Sequence, residues 1–351
     1  MTRIHVKTAT PYEVTVGSGA ADAVPDFIGA ELRQVRKAAV VTDSNVDDLH
    51  AAPVIAHLRA AGLEVTPFVF PAGERSKNLA TYGRLIDFLA AHRLDRTDVV
   101  VALGGGVTGD LAGFAAATYK RGMAFVQLPT SLLAMVDSSV GGKTGVDLAA
   151  GKNLVGAFHQ PRAVFCDLRF LSTLPEEWRI DGMGEVLKYA LLGDRELFVQ
   201  LEREPLAPIG ECGIAGCIGM KRDIVEKDER EGGVRKLLNL GHTFAHAIEK
   251  LSGYAVSHGR AVATGLAMSA RAAEKAGALA AADRARVEAL VAAMGYATHA
   301  GFAAADLAEA IRDDKKVSGD AIDLVLPQAI GRCFIRKTPL ADIGKVVADA
   351  L

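Results

Sequence analysis

Asp98-Val-Val-Val-Ala-Leu-Gly-Gly-Gly-Val-Thr-Gly-Asp110 is the stretch that decides the fold. Its first half, Asp98–Leu103, has the near-continuous apolar content of a parallel strand buried on both faces. The glycines that follow fit Gly-x-Gly-x-x-Gly. That turn lets a backbone approach a phosphate while amides at the next helix start supply donors. The same turn also closes many ordinary α/β units, and the acidic residue expected about 20 positions on is missing, with Arg121 nearby. Asp43, at the end of an earlier apolar run, is the other candidate for a ribose hydroxyl, which points to a dinucleotide site of non-standard topology.

Working outward, Lys37–Asp43, Glu64–Phe70, Phe125–Pro129 and Ala163–Cys166 are further strand candidates, separated by helical segments. Strands alternating with helices imply βαβ units and a mostly parallel, Rossmann-like sheet. From about Leu174 the texture changes to Ala-, Leu- and Glu-rich segments with helical periodicity: Glu176–Leu192, Thr243–Leu251, Ala261–Ala276 and Ala281–Met294. A short strand is expected at Ala321–Leu326, before Pro327. The expected organisation is an α/β domain over 1–170 and a mostly α-helical domain over 171–351, joined near 168–175.

The chain has 351 residues, enough for two such domains, with 50% apolar and only 6% aromatic residues, so cores of Ala, Val and Leu are expected. A net charge of −2 gives no electrostatic footprint for nucleic acid or an anionic membrane, so phosphate recognition has to be local. No apolar segment at Met1–Lys7 suggests a signal peptide, and no run reaches the roughly 18 residues a span needs. Cys166, Cys212, Cys217 and Cys333 lack zinc-finger spacing and read as reduced thiols of a cytosolic enzyme.

The strongest chemical signal is Leu238-Asn-Leu-Gly-His-Thr-Phe-Ala-His246 followed by His258. His242 and His246 are four apart and share one helical face. A lone pair at this spacing is usually an ordinary surface or core pair. Here it accompanies His258 and Glu185, in Gly-Met-Gly-Glu-Val-Leu-Lys-Tyr, and two imidazoles with one carboxylate is the composition of a catalytic zinc site. Pro129-Thr-Ser-Leu-Leu-Ala-Met-Val-Asp-Ser-Ser-Val-Gly-Gly-Lys-Thr-Gly145 packs Asp137, hydroxyls and Lys143 into a Gly-punctuated loop, and Gly151-Lys-Asn153 adds Lys152. Paired lysines suit a phosphate dianion. Lys188 shares a face with Glu185, Arg235 and Asn239 lie one turn apart, Lys221 opens a charged run, and Asp313-Asp-Lys-Lys316 is another charged cluster.

Together these motifs resemble the 3-dehydroquinate synthases, of the sugar phosphate cyclase group, over nearly the whole chain, from Thr42-Asp43 to Asp313–Lys316. The resemblance implies a cytoplasmic, homodimeric lyase of the shikimate pathway (chorismate and aromatic amino acid biosynthesis). It would convert 3-deoxy-D-arabino-heptulosonate 7-phosphate to 3-dehydroquinate and phosphate by transient oxidation with NAD, phosphate elimination, re-reduction and intramolecular aldol closure. It assigns a divalent metal, zinc or cobalt, to Glu185, His242 and His258, with His246 beside it handling protons. It gives Lys143, Asn153, Arg235 and Lys315 or Lys316 to the substrate phosphate, and Arg121 to the phosphate site of a partner subunit. Asp137, Lys188, Lys221 and Asn239 would bind the substrate carboxylate and hydroxyls. NAD would contact Asp43, Glu74, Lys77, Gly105, Gly106, Val107, Thr108, Gly109, Asp110, Thr130, Ser131, Lys143, Lys152, Phe170, Leu171, Ser172 and Thr173.

Two departures from the family pattern stand out: Arg260 where Glu is common after His258-Gly, and Ala245 where Gly is common. Neither removes a metal ligand; Arg260 bears on metal affinity. The rival readings are another sugar phosphate cyclase, a metal-dependent polyol dehydrogenase, which needs no phosphate pocket, and an NAD-binding regulatory module, which leaves Glu185, His242 and His258 unexplained. No nucleic-acid or membrane partner is expected.

Overall fold

The computed structural model describes residues 1–313 and 317–351. The apolar run quoted first is the middle of a seven-stranded sheet. Its strands are β1 (Thr2–Val6), β2 (Tyr12–Gly17), β3 (Lys37–Asp43), β4 (Glu64–Phe70), β5 (Val99–Gly104), β6 (Ala124–Pro129) and, after a hairpin of β7 (Lys143–Leu148) and β8 (Gly151–Phe158), β9 (Ala163–Asp167). The order across the sheet is β1-β2-β9-β6-β5-β3-β4. Every pairing is parallel except β1 with β2. β5 is buried along its whole length, as a strand covered on both faces must be. Phe125 on β6, Leu85 and Leu89 of the Leu79–Ala91 helix and Leu111 of the Gly106–Thr118 helix close the core on one side.

Strand order reverses between β3 and β5: β4 lies outside β3, and β5 returns on its other side. Such a switch point leaves a crevice beyond the carboxyl ends of the strands, where ligands of open α/β sheets bind. Thr42 and Leu103 are in register there, which sets Asp43 beside the glycine turn.

Three elements depart from the sequence reading. β1 and β2 add an antiparallel edge that no apolar run announced. The segment read as a Gly-punctuated loop contains a π-helical turn (Ala134–Ser138) and then the β7–β8 hairpin, so Lys143, Lys152 and Asn153 stand on strands. And Ala321–Ala329 (β11) continues through Pro327 and pairs with Val317–Ser318 (β10) and Arg332–Pro339 (β12), giving the helical part a small antiparallel sheet.

The chain forms two compact units, Met1–Arg179 with Gly210–Glu229, and Ile180–Ile209 with Arg230–Leu351. The Glu211–Lys227 helix therefore belongs with the sheet. Glu211 accepts a hydrogen bond from Thr2 Oγ1 (2.8 Å), and Glu226 accepts from Lys7 N (2.7 Å), which holds the helix along the β1 edge. Covering an edge strand removes a template for unwanted pairing. The second unit contains the helices His242–Leu251, His258–Lys275, Ala281–Ala293, Ala304–Arg312 and Ile343–Ala350, and most of Glu176–Gly193.

Phe125 is fully buried between sheet and helix. Phe125→Ala is expected to cost about 3–5 kcal/mol, read as a lower urea midpoint with an unchanged slope.

Candidate functional site

In the helical unit the Glu176–Gly193 and His258–Lys275 helices touch through glycine. A Cβ on Gly184 would overlap the Gly259 carbonyl, and one on Gly259 would overlap the Asp181 carbonyl. Asp181 Oδ1 accepts from Arg260 N (3.1 Å) and secures the start of the second helix. The backbones meet because neither side has a side chain, and the next residue on one and the preceding one on the other, Glu185 and His258, are brought face to face. Gly265 lies as closely against the Gly241 carbonyl, which draws in the helix that begins at His242.

Glu185 is fully buried, and its Oε1 lies 3.3 Å from His242 Nε2 and 3.1 Å from His258 Nε2. The three donor atoms lie within 4.8 Å of one another. Ligand atoms on a tetrahedron with arms of about 2.1 Å are about 3.4 Å apart, so the spacing suits one divalent cation. Tautomers agree. His242 Nδ1 lies 3.1 Å from the Leu240 carbonyl, which can only accept, so Nδ1 holds the proton and the Nε2 lone pair faces Glu185. His246 stacks edge-on against His242 at 5.8 Å but is not among these three donors. The helical His pair thus contributes one imidazole, and the other comes from His258.

Burial would raise the Glu185 pKa. The Lys188 ammonium at 2.6 Å and the nearby His242 outweigh it and hold the carboxyl well below the usual range. Burial dominates at His242 and lowers its pKa, partly offset by Glu185. At His258 burial is overcome by hydrogen bonding to Glu185 and Glu249, which pushes that ring up to about 10. Arg235 and Lys188 are each about 1% exposed. Asn239 Nδ2 donates to Glu231 Oε1 (2.8 Å), and neither Glu231 nor Glu249 stood out in the sequence.

In the sheet unit Gly105 precedes the Gly106–Thr118 helix, whose first turn carries Val107, Thr108, Gly109 and Asp110. Asp110 pairs with the buried Lys77 (2.6 Å), and Glu74 lies 4.0 Å from Lys77 and 3.6 Å from Lys152. Burial works against the charge on Lys77, but Asp110 and Glu74 raise its pKa; burial likewise raises Asp110 despite Lys77. Asp147 ties the hairpin to this turn, donating from its N to Lys77 O (2.8 Å) and accepting from Asn153 N (2.7 Å). Thr130 N donates to Gly104 O (3.0 Å), and Ser131 Oγ accepts from Ala134 N. The Asp43 carboxylate accepts from Asn45 N and Val46 N. Phe170, Leu171 and Ser172 lie in a 3₁₀ helix (Leu168–Ser172) that Thr173 follows, and His50 Nε2 lies 2.7 Å from Thr173 Oγ1. Asp137 and Lys221 meet at 3.1 Å. Arg121 is exposed and, with Lys120, adopts positive φ (64° and 47°). Lys315 and Lys316 lie outside the described residues.

Residues 67–180 match the family described as 3-dehydroquinate synthase N-terminal, and residues 182–317 match 3-dehydroquinate synthase C-terminal. The 3-dehydroquinate synthase of Opitutus terrae is 47% identical over 95% of this chain and 94% of its own. The chain belongs to the 3-dehydroquinate synthase family. The Caulobacter vibrioides 3-dehydroquinate synthase is 44% identical over 93% of this chain and 92% of its own. The fold is also that of 2-deoxy-scyllo-inosose synthase, crystallised with carbaglucose 6-phosphate, NAD+ and Co2+, at a TM-score of 0.88 and 25% identity over 100% of each chain.

For this family member the glycine crossing generates a test. Gly184→Ala and Gly259→Ala are each expected to weaken metal binding at least about tenfold without removing a ligand, measured by competition with a chromophoric chelator. Gly216→Ala, where a Cβ meets nothing within 4 Å, should leave metal affinity unchanged and raise stability by about 0.5–1 kcal/mol.

Proposed function

We propose that this chain converts 3-deoxy-D-arabino-heptulosonate 7-phosphate to 3-dehydroquinate and inorganic phosphate, as a cytoplasmic homodimer of the shikimate pathway. The observation that carries the reading is the convergence of Glu185 Oε1 with the Nε2 atoms of His242 and His258 in a member of this family. The family's identity of 44–47% against 25% for 2-deoxy-scyllo-inosose synthase favours this substrate over that of another cyclase. Among the described residues no helix is long and apolar enough to cross a membrane, in keeping with the cytoplasmic assignment.

Residues 1–170 would carry NAD and 171–351 the metal and further substrate groups, with Lys221 an exception that folds with the sheet. Bound NAD supplies a temporary hydride acceptor, and the divalent cation, zinc or cobalt, acidifies the hydroxyl to be oxidised. Amides of Gly105–Gly109 and the helix start take the pyrophosphate, and Asp43 takes a ribose hydroxyl. Glu74, Lys77, Asp110, Thr130, Ser131, Lys143, Lys152 and Phe170–Thr173 complete the cofactor contacts. Lys143, Asn153, Arg235 and Lys315 or Lys316 bind the phosphate, and Arg121 serves that of the second copy. Asp137, Lys188, Lys221 and Asn239 hold the carboxylate and hydroxyls, and His246 relays protons. The protein's share is positioning and electrostatics.

With the heptulosonate phosphate and catalytic NAD+, phosphate release without net NADH is expected in a coupled phosphate assay; steady NADH accumulation instead would identify a polyol dehydrogenase. Stripping the metal with a chelator should abolish release, and His258→Ala should lower it by about 100-fold or more through lost metal. Release unaffected by stripping would defeat the metal assignment.

A further inference from the structure

We propose that Glu249 is a positioning residue for the metal ligand His258, and that its charge sets the affinity of the site. This rests on the metal reading above and adds a residue that reading does not include.

Glu249 lies seven residues after His242 on the same helix, two turns along one face, and is 2% exposed. Its Oε2 is 3.5 Å from His258 Nδ1, while Nε2 of the same ring faces Glu185. A ligand imidazole that offers Nε2 to a cation keeps its proton on Nδ1, and that N–H needs an acceptor to fix the ring. His242 uses the Leu240 carbonyl for this purpose. His258 sits at the first position of its helix, after Ser257, and is the more exposed of the two rings, with 33% of its side chain accessible against 11% for His242. It has more freedom to lose, so an acceptor on a separate, packed helix matters more to it.

Charge points the same way. A divalent cation with Glu185 and Lys188 leaves a surplus of two positive charges among buried groups, and Glu249 reduces the surplus to one. A burial that removes water makes such a charge difference costly. The helix that carries His242 therefore serves the cation twice, with a ligand at its first residue and a counter-charge two turns later.

The test uses the full chain stripped of metal and titrated with Co2+ or Zn2+ against a chromophoric chelator. Glu249→Gln keeps the shape and removes the charge; metal affinity is expected to fall about 10–100-fold. At saturating Co2+ the visible spectrum should match the parent, because Glu185, His242 and His258 all still bind. Glu249→Asp, charged but shorter, should recover part of the loss. Thermal unfolding of the metal-free forms separates this from a packing role: a lower apo midpoint with metal affinity within twofold of the parent would overturn the proposal. If Glu249→Gln does not fold, Glu249→Asp decides by the same affinity criterion. A parent chain that binds no stoichiometric cation would instead sink the metal reading itself, a distinguishable failure.

Discussion

A carboxylate without access to water constrains everything around it. Glu185 is fully buried in the interior of a helix, and a charge in that position persists only if cations or strong donors surround it. Lys188 sits one turn away, and the two imidazoles approach from two other helices. The helices cross here at closer than ordinary spacing. The backbones at Gly184 and Gly259, and at Gly241 and Gly265, are close enough that side chains would collide, and that closeness is what lets short functional groups on three helices meet. Packing density and chemistry are the same problem here: helices that can separate would leave the carboxylate unpaired.

In the sheet unit the buried charge is of the opposite sign, the ammonium of Lys77. The whole chain is slightly acidic, so nothing steers an anion from a distance. Instead, Lys77 is buried and held cationic by Asp110 and Glu74, at the crevice where the strand order reverses. Lys152 and Asn153 arrive on a hairpin latched to that turn through Asp147. A local arrangement of paired charges replaces a global field.

Much of this was legible in the sequence, for physical reasons that also explain the rest. β3, β5, β6 and β9 are interior parallel strands, and their apolar runs show because both faces are covered, whereas β4 is the parallel edge strand and shows by its alternation of buried and exposed residues. β1 alternates in burial, and β2 alternates only in sequence, with Glu13 and Thr15 between Tyr12, Val14 and Val16 although nearly all of it is buried, so neither shows a continuous apolar run. The β7–β8 hairpin is glycine-rich because its strands approach closely, and glycine reads as loop in a propensity argument. The helical boundaries followed from periodicity, with Ala261–Ala276 extending back to His258 once Ser257 takes the position before the first turn. At the site, residue types and spacing brought forward Glu185 with His242, His246 and His258, and the face shared by His242 and His246 left the pairing of imidazoles open. The family resemblance chose His258 over His246, and the crossing of the helices gives the physical reason, because it brings His258 rather than His246 against Glu185. Glu249 was illegible for the opposite reason: an acid late in an amphipathic helix looks like solvated surface until burial is known.

The return of Glu211–Lys227 to the sheet has a bearing on how the molecule is made. The chain leaves the first unit at Arg179, comes back for twenty residues at Gly210–Glu229, and leaves again. A growing polypeptide that emerges in order therefore cannot finish its sheet unit when Arg179 has been translated; β1 stays uncovered, and Asp137 lacks Lys221, until about fifty further residues have left the ribosome. The first unit is complete only after part of the second has been made, and a fragment cut at the apparent junction would emerge with an open sheet edge.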